Sequence, residues 1–418
     1  MQEKLIFVEI HELVTLSRAA KKGGRHVVED DLGVIRDGAL VCENGRILWR
    51  GERQELDRFF SGRQDRDAFQ TVPLGGRDVL PGFVECHTHL LFAGDRTQEF
   101  EWRIQGQTYQ EISAKGGGIA STVRATRAAS VEELKHLGQT RVNEFVRQGV
   151  TAIEVKSGYG LNFETEARIL RVAGQLRGPH IVRTYLGPHS KSPEFPDLAR
   201  YMDHIVEHDL PTIKAERLAD RVDIYIEKGF FDLDMGRRYF AKAKELGLPI
   251  SAHVEQLSAF GGANLALDFS PQSVDHVVYL EPEGIQRLAS SDAVAVLLPA
   301  SDLYLRMKYP PARDLIEAGA AVALSTDFNP GTSPTQDLSL VGVLARLEMR
   351  MLLPEVICAL TFGAAKALGK DAEWGSLDQG KCCDFMTLDG SWRELFYSIG
   401  RHPVQNVYKA GQILEKSF

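Results

Sequence analysis

A chain of 418 residues with 44% hydrophobic and 25% charged side chains has the composition of a folded globular protein, which excludes disorder and fibrous architectures. Its 49 Lys and Arg against 57 Asp and Glu give a formal charge of −8, and with no long basic block this argues against a nucleic-acid groove. Five cysteines (Cys42, Cys86, Cys358, Cys382, Cys383) show no repeated spacing, which argues against a disulfide framework; the adjacent pair Cys382-Cys383 lacks the separation of a structural zinc site.

The N-terminal run Met1 to Ile10 is too short in its apolar stretch and too acidic for a secretory signal. No segment approaches the roughly 18 uninterrupted apolar residues of a membrane helix. A soluble, cytoplasmic chain that binds neither membrane nor nucleic acid is the expectation. Gly33-Val34-Ile35 and Ala39-Leu40-Val41-Cys42, the turn Glu43-Asn44-Gly45-Arg46 and the run Ile47-Leu48-Trp49-Arg50 carry a hairpin signature.

From Val79 to Asn329 short β-rich runs alternate with longer amphipathic stretches, the pattern of repeated βα units around a parallel sheet. Eight strands are predicted, at 82–86, 152–156, 181–186, 222–226, 250–253, 274–278, 294–298 and 322–325. Eight is the number that closes a TIM-like (β/α)8 barrel. Among the connecting helices, the one opened by the capping box Ser130-Val131-Glu132-Glu133 places Leu134, Leu137, Val142, Phe145 and Val146 on one face and stops at Gly149. After Gly375 strands return at 384–388 and 406–414. Each terminal fragment is short for a core of its own, so the two are expected to form one small β-sandwich domain: residues 1–78 with 375–418, flanking a barrel domain at 79–374.

Barrel enzymes place their chemistry at the C-terminal ends of the strands. His87-Thr88-His89 closes the first strand, and alternation puts both imidazoles on one face. A His-x-His pair alone could be a polar strand terminus. His189 follows the third strand, however, His253 ends the fifth, His276 lies in the sixth and Asp327 follows the eighth. Several histidines and an aspartate converging on one barrel mouth point to a metal site. Three imidazoles and a carboxylate suit zinc or iron, and a catalytic site keeps a position open for water, whose pKa falls towards 7, so hydrolysis is the natural reaction.

These residues resemble the amidohydrolase superfamily. Within it, longer segments are similar to the imidazolonepropionase family: Pro81 to Leu90, Gly116-Gly117-Gly118-Ile119 with Thr126-Arg127-Ala128-Ala129, Glu154 to Gly160, and Ser325 to Thr335. The resemblance implies an enzyme of histidine degradation that hydrolyses the ring C–N bond of 4-imidazolone-5-propanoate to N-formimidoyl-L-glutamate. It implies one divalent or trivalent metal ion per subunit, zinc or iron, held by His87, His89, His253 and Asp327. Asp327, His276 and Gln256 would be catalytic. Arg96, Tyr109, Tyr159, His189, Gln256, Asn329, Gly331 and Thr332 would contact the small-molecule substrate, in a homodimer.

Dinuclear members of the superfamily bridge two metals with a carbamylated lysine on strand four. Here Lys228 is the nearby candidate and reads as a solvated loop residue, while Lys156 on strand two is misplaced for bridging, so a mononuclear site is expected. Without the resemblance, Arg96 would be a surface ion pair with Asp95 or Glu99, and Tyr109 and Tyr159 packing residues. The motif His253-Val254-Glu255-Gln256 departs from related deaminases, which have a proton-shuttling glutamate three residues after the histidine. An amide cannot carry a proton in that way, and Glu255 alternates to the opposite face. The alternative function, a mononuclear-metal deaminase acting on another heterocycle, is weakened by Gln256.

Overall fold

The computed structural model describes residues 3–107, 111–112 and 115–414. Both termini contribute to one mixed sheet. Its strands are β1 (Lys4–Leu13), β2 (Ile35–Glu43), β3 (Arg46–Glu52) and β4 (Gln70–Pro81), with β14 (Phe385–Leu388), β15 (Val404–Lys409) and β16 (Gln412–Ile413), in the order β16-β15-β14-β4-β1-β2-β3. The predicted hairpin pairs Glu43 with Arg46, and Asn44 and Gly45 both take positive φ (53° and 75°), which matches a two-residue turn to the strand twist. The long strands β1 and β4, which carry Gly and Pro or irregular alternation, are additions to the sequence-based picture.

This sheet folds over on itself. In the sheet order β15 and β1 are three places apart, about 14 Å if flat. Yet the rings of Tyr408 on β15 and Phe7 on β1 lie 5.6 Å apart, with Phe385 of β14 stacked on Tyr408 at 4.4 Å. The result is a small sandwich whose interior holds Leu5, Phe7, Ile10, Leu40, Phe385 and Tyr408.

The eight predicted barrel strands are present: β5 (Phe83–Glu85), β6 (Val150–Lys156), β7 (His180–Tyr185), the fourth in two pieces β8 (Arg221–Val222) and β9 (Tyr225–Ile226), then β10 (Ser251–Val254), β11 (Ser273–His276), β12 (Val294–Leu297) and β13 (Ala321–Leu324). They pair in parallel as two arcs, β5 to β8 and β9 to β13, and bridges Val222 to Ile250 and Thr88 to Phe328 close the ring. Alternation sorts the residues: Ile153 and Val155 face the helices, while Ala152, with Val84, Val182 and Val296, fills the lumen. Gly82 marks the passage from sandwich to barrel, where a Cβ would lie 2.2 Å from Thr151 Cγ2. In the helix Val131–Arg147 only half of the capping box forms: Ser130 Oγ accepts from Glu133 N at 3.1 Å.

Trp392 fastens the C-terminal segment to the N-terminal strands β1 and β4. It is buried, its indole Nε1 donates to Glu12 Oε2 at 2.6 Å, and its backbone N donates to Asp78 Oδ2 at 2.9 Å. Trp392→Ala should destabilise the protein by about 3–5 kcal/mol, and Trp392→Phe by less; urea unfolding monitored by circular dichroism would measure both.

Candidate functional site

The strand ends bring the predicted donors together. His87 and His89 follow β5, and one nitrogen from each of His87, His89 and His253 falls within 4.8 Å of the others. Asp327 Oδ1 lies 3.5 Å from His87 Nε2 and 3.6 Å from His89 Nε2. All four side chains are buried. Burial holds the His87 and His89 imidazoles well below their usual pKa, hence neutral, the state that ligates metals.

Tautomers are set from behind. His87 Nδ1 is 2.7 Å from Asp275 Oδ2 and His253 Nδ1 is 3.1 Å from Asp223 Oδ1, so each ring donates from Nδ1 and presents a lone pair on Nε2. Both Nε2 atoms are buried and have no hydrogen-bond partner among the described residues. Two orphaned, aimed imidazole nitrogens beside a third imidazole and a carboxylate fit a divalent cation.

His276 ends β11 with a positive φ of 75°, its ring 5.3 Å from that of His253 and its Nδ1 unpartnered among the described residues. Burial pushes the Asp327 carboxyl up to about 6; a bound cation would act in the opposite direction. His189 stacks on His89 at 4.9 Å and donates from Nδ1 to Gly158 O at 3.0 Å. Tyr159 packs against both rings.

A cavity of about 160 Å3 opens over these groups, lined by His89, Arg96, Ile119, Tyr159, His189, Tyr225, Phe230, His253, Gln256, His276, Asp327, Asn329 and Thr332. It is small beside the roughly 300 Å3 or more of drug-sized sites, which points to a small polar metabolite. Arg96 is no surface ion pair: its side chain is 12% exposed, its Nε donates to Thr122 Oγ1 at 3.0 Å, and Glu99 stands 3.7 Å from Nη1. Gly331 touches the guanidinium, since a Cβ there would lie 2.4 Å from Arg96 Nη1. Asn329 braces the loop after β13 by accepting from Gly331 N (2.9 Å) and Thr332 N (2.7 Å) and donating to Asp327 O (2.7 Å). Glu255 points away from the cavity and accepts from Gly261 N and Ala263 N. Gln256 lines the cavity, and Lys228 is exposed. Tyr109 lies outside the described residues.

Sequence reasoning missed several groups. Tyr225 and Phe230 form an aromatic wall, 4.6 Å apart. Beneath the histidines lies a buried charge cluster: Lys156 Nζ is 2.7 Å from Asp223, 2.9 Å from Glu154 and 3.5 Å from Asp275, and Arg221 Nε is 3.8 Å from Glu154. Part of the signal was present: Glu154 and Lys156 are two residues apart in β6 and so share its inward face.

The family model described as "Amidohydrolase family" matches residues 79–414. An imidazolonepropionase of Bdellovibrio bacteriovorus is 48% identical over 408 residues, 98% of this chain and 96% of that protein. One of Shewanella sp. strain ANA-3 is 41% identical over 92% of this chain and 94% of its own length. Among solved structures, an adenosine deaminase from Xanthomonas campestris with bound zinc superposes with a TM-score of 0.70 at 19% identity, covering 98% of this chain and 92% of the other. E. coli guanine deaminase gives 0.69 at 15%, covering all of both chains. At these identities the structural likeness shows the fold: a barrel with a sandwich, as the sequence predicts. The family match and the two relatives show more, namely that the chain belongs to the amidohydrolase family and, within it, to the imidazolonepropionase family.

Proposed function

We propose that the chain hydrolyses 4-imidazolone-5-propanoate to N-formimidoyl-L-glutamate in histidine degradation, using one zinc or iron ion held by His87, His89, His253 and Asp327. The observation that carries this reading is a small cavity lined by three of those donors, His89, His253 and Asp327, together with a largely enclosed arginine, Arg96. A propionate needs a cation, and a guanidinium grips it with charge-assisted, often bidentate hydrogen bonds. One ion rather than two is supported by Lys156, whose ammonium occupies the space between Asp223 and Asp275.

When bound, the ion supplies a Lewis acid and lowers the pKa of water towards neutrality. Asp327 takes a proton from the attacking water as its oxygen adds to the ring carbonyl carbon. His276 donates a hydrogen bond to the oxyanion that develops. The C–N bond opens, and Asp327 passes the proton to the departing ring nitrogen, so that water has added across the bond. Gln256 hydrogen-bonds the imidazolone ring, and Tyr109, Tyr159 and His189 contact the substrate. Asn329, Gly331 and Thr332 form the loop that faces it. A deaminase of another heterocycle is the weaker reading, because Gln256 stands where that chemistry wants a proton-carrying glutamate.

The same reading has the enzyme act in the cytoplasm as a homodimer, with residues 79–374 as the catalytic barrel and 1–78 with 375–418 as one discontinuous sandwich. Among the described residues no helix is long and apolar enough to cross a membrane.

The purified protein should accelerate loss of the imidazolone generated from urocanate by urocanase, with about one metal ion per chain by elemental analysis. No acceleration by metal-loaded protein, or ammonia release from a purine, pyrimidine or triazine instead, would overturn the substrate assignment. Asp327→Asn should lower kcat by about 100-fold or more while the circular dichroism spectrum is kept. Arg96→Ala should act mainly on KM, with kcat/KM falling by about 10- to 150-fold, the equivalent of about 1.5–3 kcal/mol. Gly331→Ala should displace that guanidinium and raise KM by about tenfold or more.

A further inference from the structure

Lys156 is buried at the end of β6, and its Nζ touches the two carboxylates that orient separate histidines. Asp223 offers Oδ2 to Lys156 at 2.7 Å and Oδ1 to His253 Nδ1 at 3.1 Å. Asp275 offers the same Oδ2 to Lys156 at 3.5 Å and to His87 Nδ1 at 2.7 Å. Glu154 closes the third side at 2.9 Å, with its other oxygen accepting from Thr184 Oγ1. These carboxylates come from the second, fourth and sixth strands of the barrel. One ammonium therefore ties three strands together at the level just beneath the ligand nitrogens.

We infer that Lys156 is a positioning residue for the metal site: a fixed internal cation that holds Asp223 and Asp275 against His253 and His87, and through them sets the metal affinity. The physical case rests on what its loss would do. Three carboxylates in a closed lumen, left with only Arg221 beside Glu154, repel one another and draw apart. Asp223 and Asp275 then leave the Nδ1 atoms, and nothing fixes which nitrogen of each ring carries the proton. Imidazoles that must first shed the wrong tautomer and reorient bind a cation more weakly; outer partners of metal ligands are worth about 10- to 100-fold in affinity. Lys156 reaches neither the cavity nor the ligand nitrogens, so its action on substrate is indirect.

The inference rests on the metal assignment above. Its test is zinc affinity, measured by competition with a chromophoric chelator, together with the visible spectrum of the cobalt-substituted protein. Lys156→Met, which keeps the length and loses the charge, should bind zinc about 10- to 100-fold more weakly than wild type and show an altered cobalt spectrum. Should that variant not fold, Lys156→Met with Glu154→Gln removes an opposite charge along with the lysine, from the carboxylate that orients no histidine, and the same loss of affinity is expected. A folded variant of either kind with wild-type zinc affinity and cobalt spectrum overturns the role of Lys156 alone. Wild-type protein that takes up neither metal overturns the metal assignment and this inference with it.

Discussion

Buried charge in the barrel lumen is the constraint on which the rest depends. Glu154, Lys156, Arg221, Asp223 and Asp275 are all closed off from solvent. Three carboxylates against two cations leave one negative charge, a state that an apolar interior tolerates only with close pairing. The pairing holds: Arg221 also donates to Ala367 O and Ser273 Oγ, and Lys156 holds Asp223 well below the usual carboxylate range even though burial pulls the other way. His87, His89 and His276, held neutral by burial, add nothing to cancel the residual charge. A cation at the strand ends does, so the layer that looks like a cost to stability supplies the field for the site.

The same economy of buried carboxylates shapes the loops. Glu166 accepts from the backbone of Gly158, Gly160 and Leu161 and so fixes the turn that carries Tyr159. Glu227 accepts from Leu257 N and Ser258 N and steadies the segment after Gln256. Glu85 bonds Ser325 and Thr326 N, linking the first strand to the last immediately before Asp327. Each replaces water as the partner of backbone N–H groups that an irregular loop would otherwise expose. This rigidity lets the site hold positive φ at Asp327 (53°), His276 (75°) and Val277 (47°), conformations that L residues keep only when their surroundings over-determine them.

What was legible in the sequence follows from what alternation and strand ends encode. His87, His89, His253 and Asp327 could be placed because barrel geometry maps chain position directly onto the mouth. The Asn44-Gly45 hairpin was legible because its turn demands those backbone angles. The long strands β1 and β4 were not, since Gly75-Gly76 and Pro73 interrupt the pattern and the pairing of β1 with β4 is set by contacts 60 and more residues apart. Lys156 was set aside on strand number, as misplaced for bridging two metals. A linear reading has no means to see that Asp223 and Asp275, on other strands, converge on it. Tyr225 escaped for a related reason: the fourth strand breaks at Asp223-Ile224, and a broken strand hides its own period.

Gln256 then bears on why this site should open a cyclic amide. In deamination the leaving group is ammonia, and a second carboxylic acid beside the metal can deliver its proton. In ring opening the leaving nitrogen stays tethered to the product, so one carboxylate that has just received a proton from water can return it across a short distance. In the proposed mechanism Asp327 alone would meet that need, provided the ring is held in one orientation. An amide at 256 offers direction without charge: it can donate and accept hydrogen bonds while leaving the cavity one anion poorer, which would suit a substrate whose own carboxylate goes to Arg96, as proposed. On that proposal, the amide at 256 and the arginine at 96 would serve one end, the binding of an anionic heterocycle.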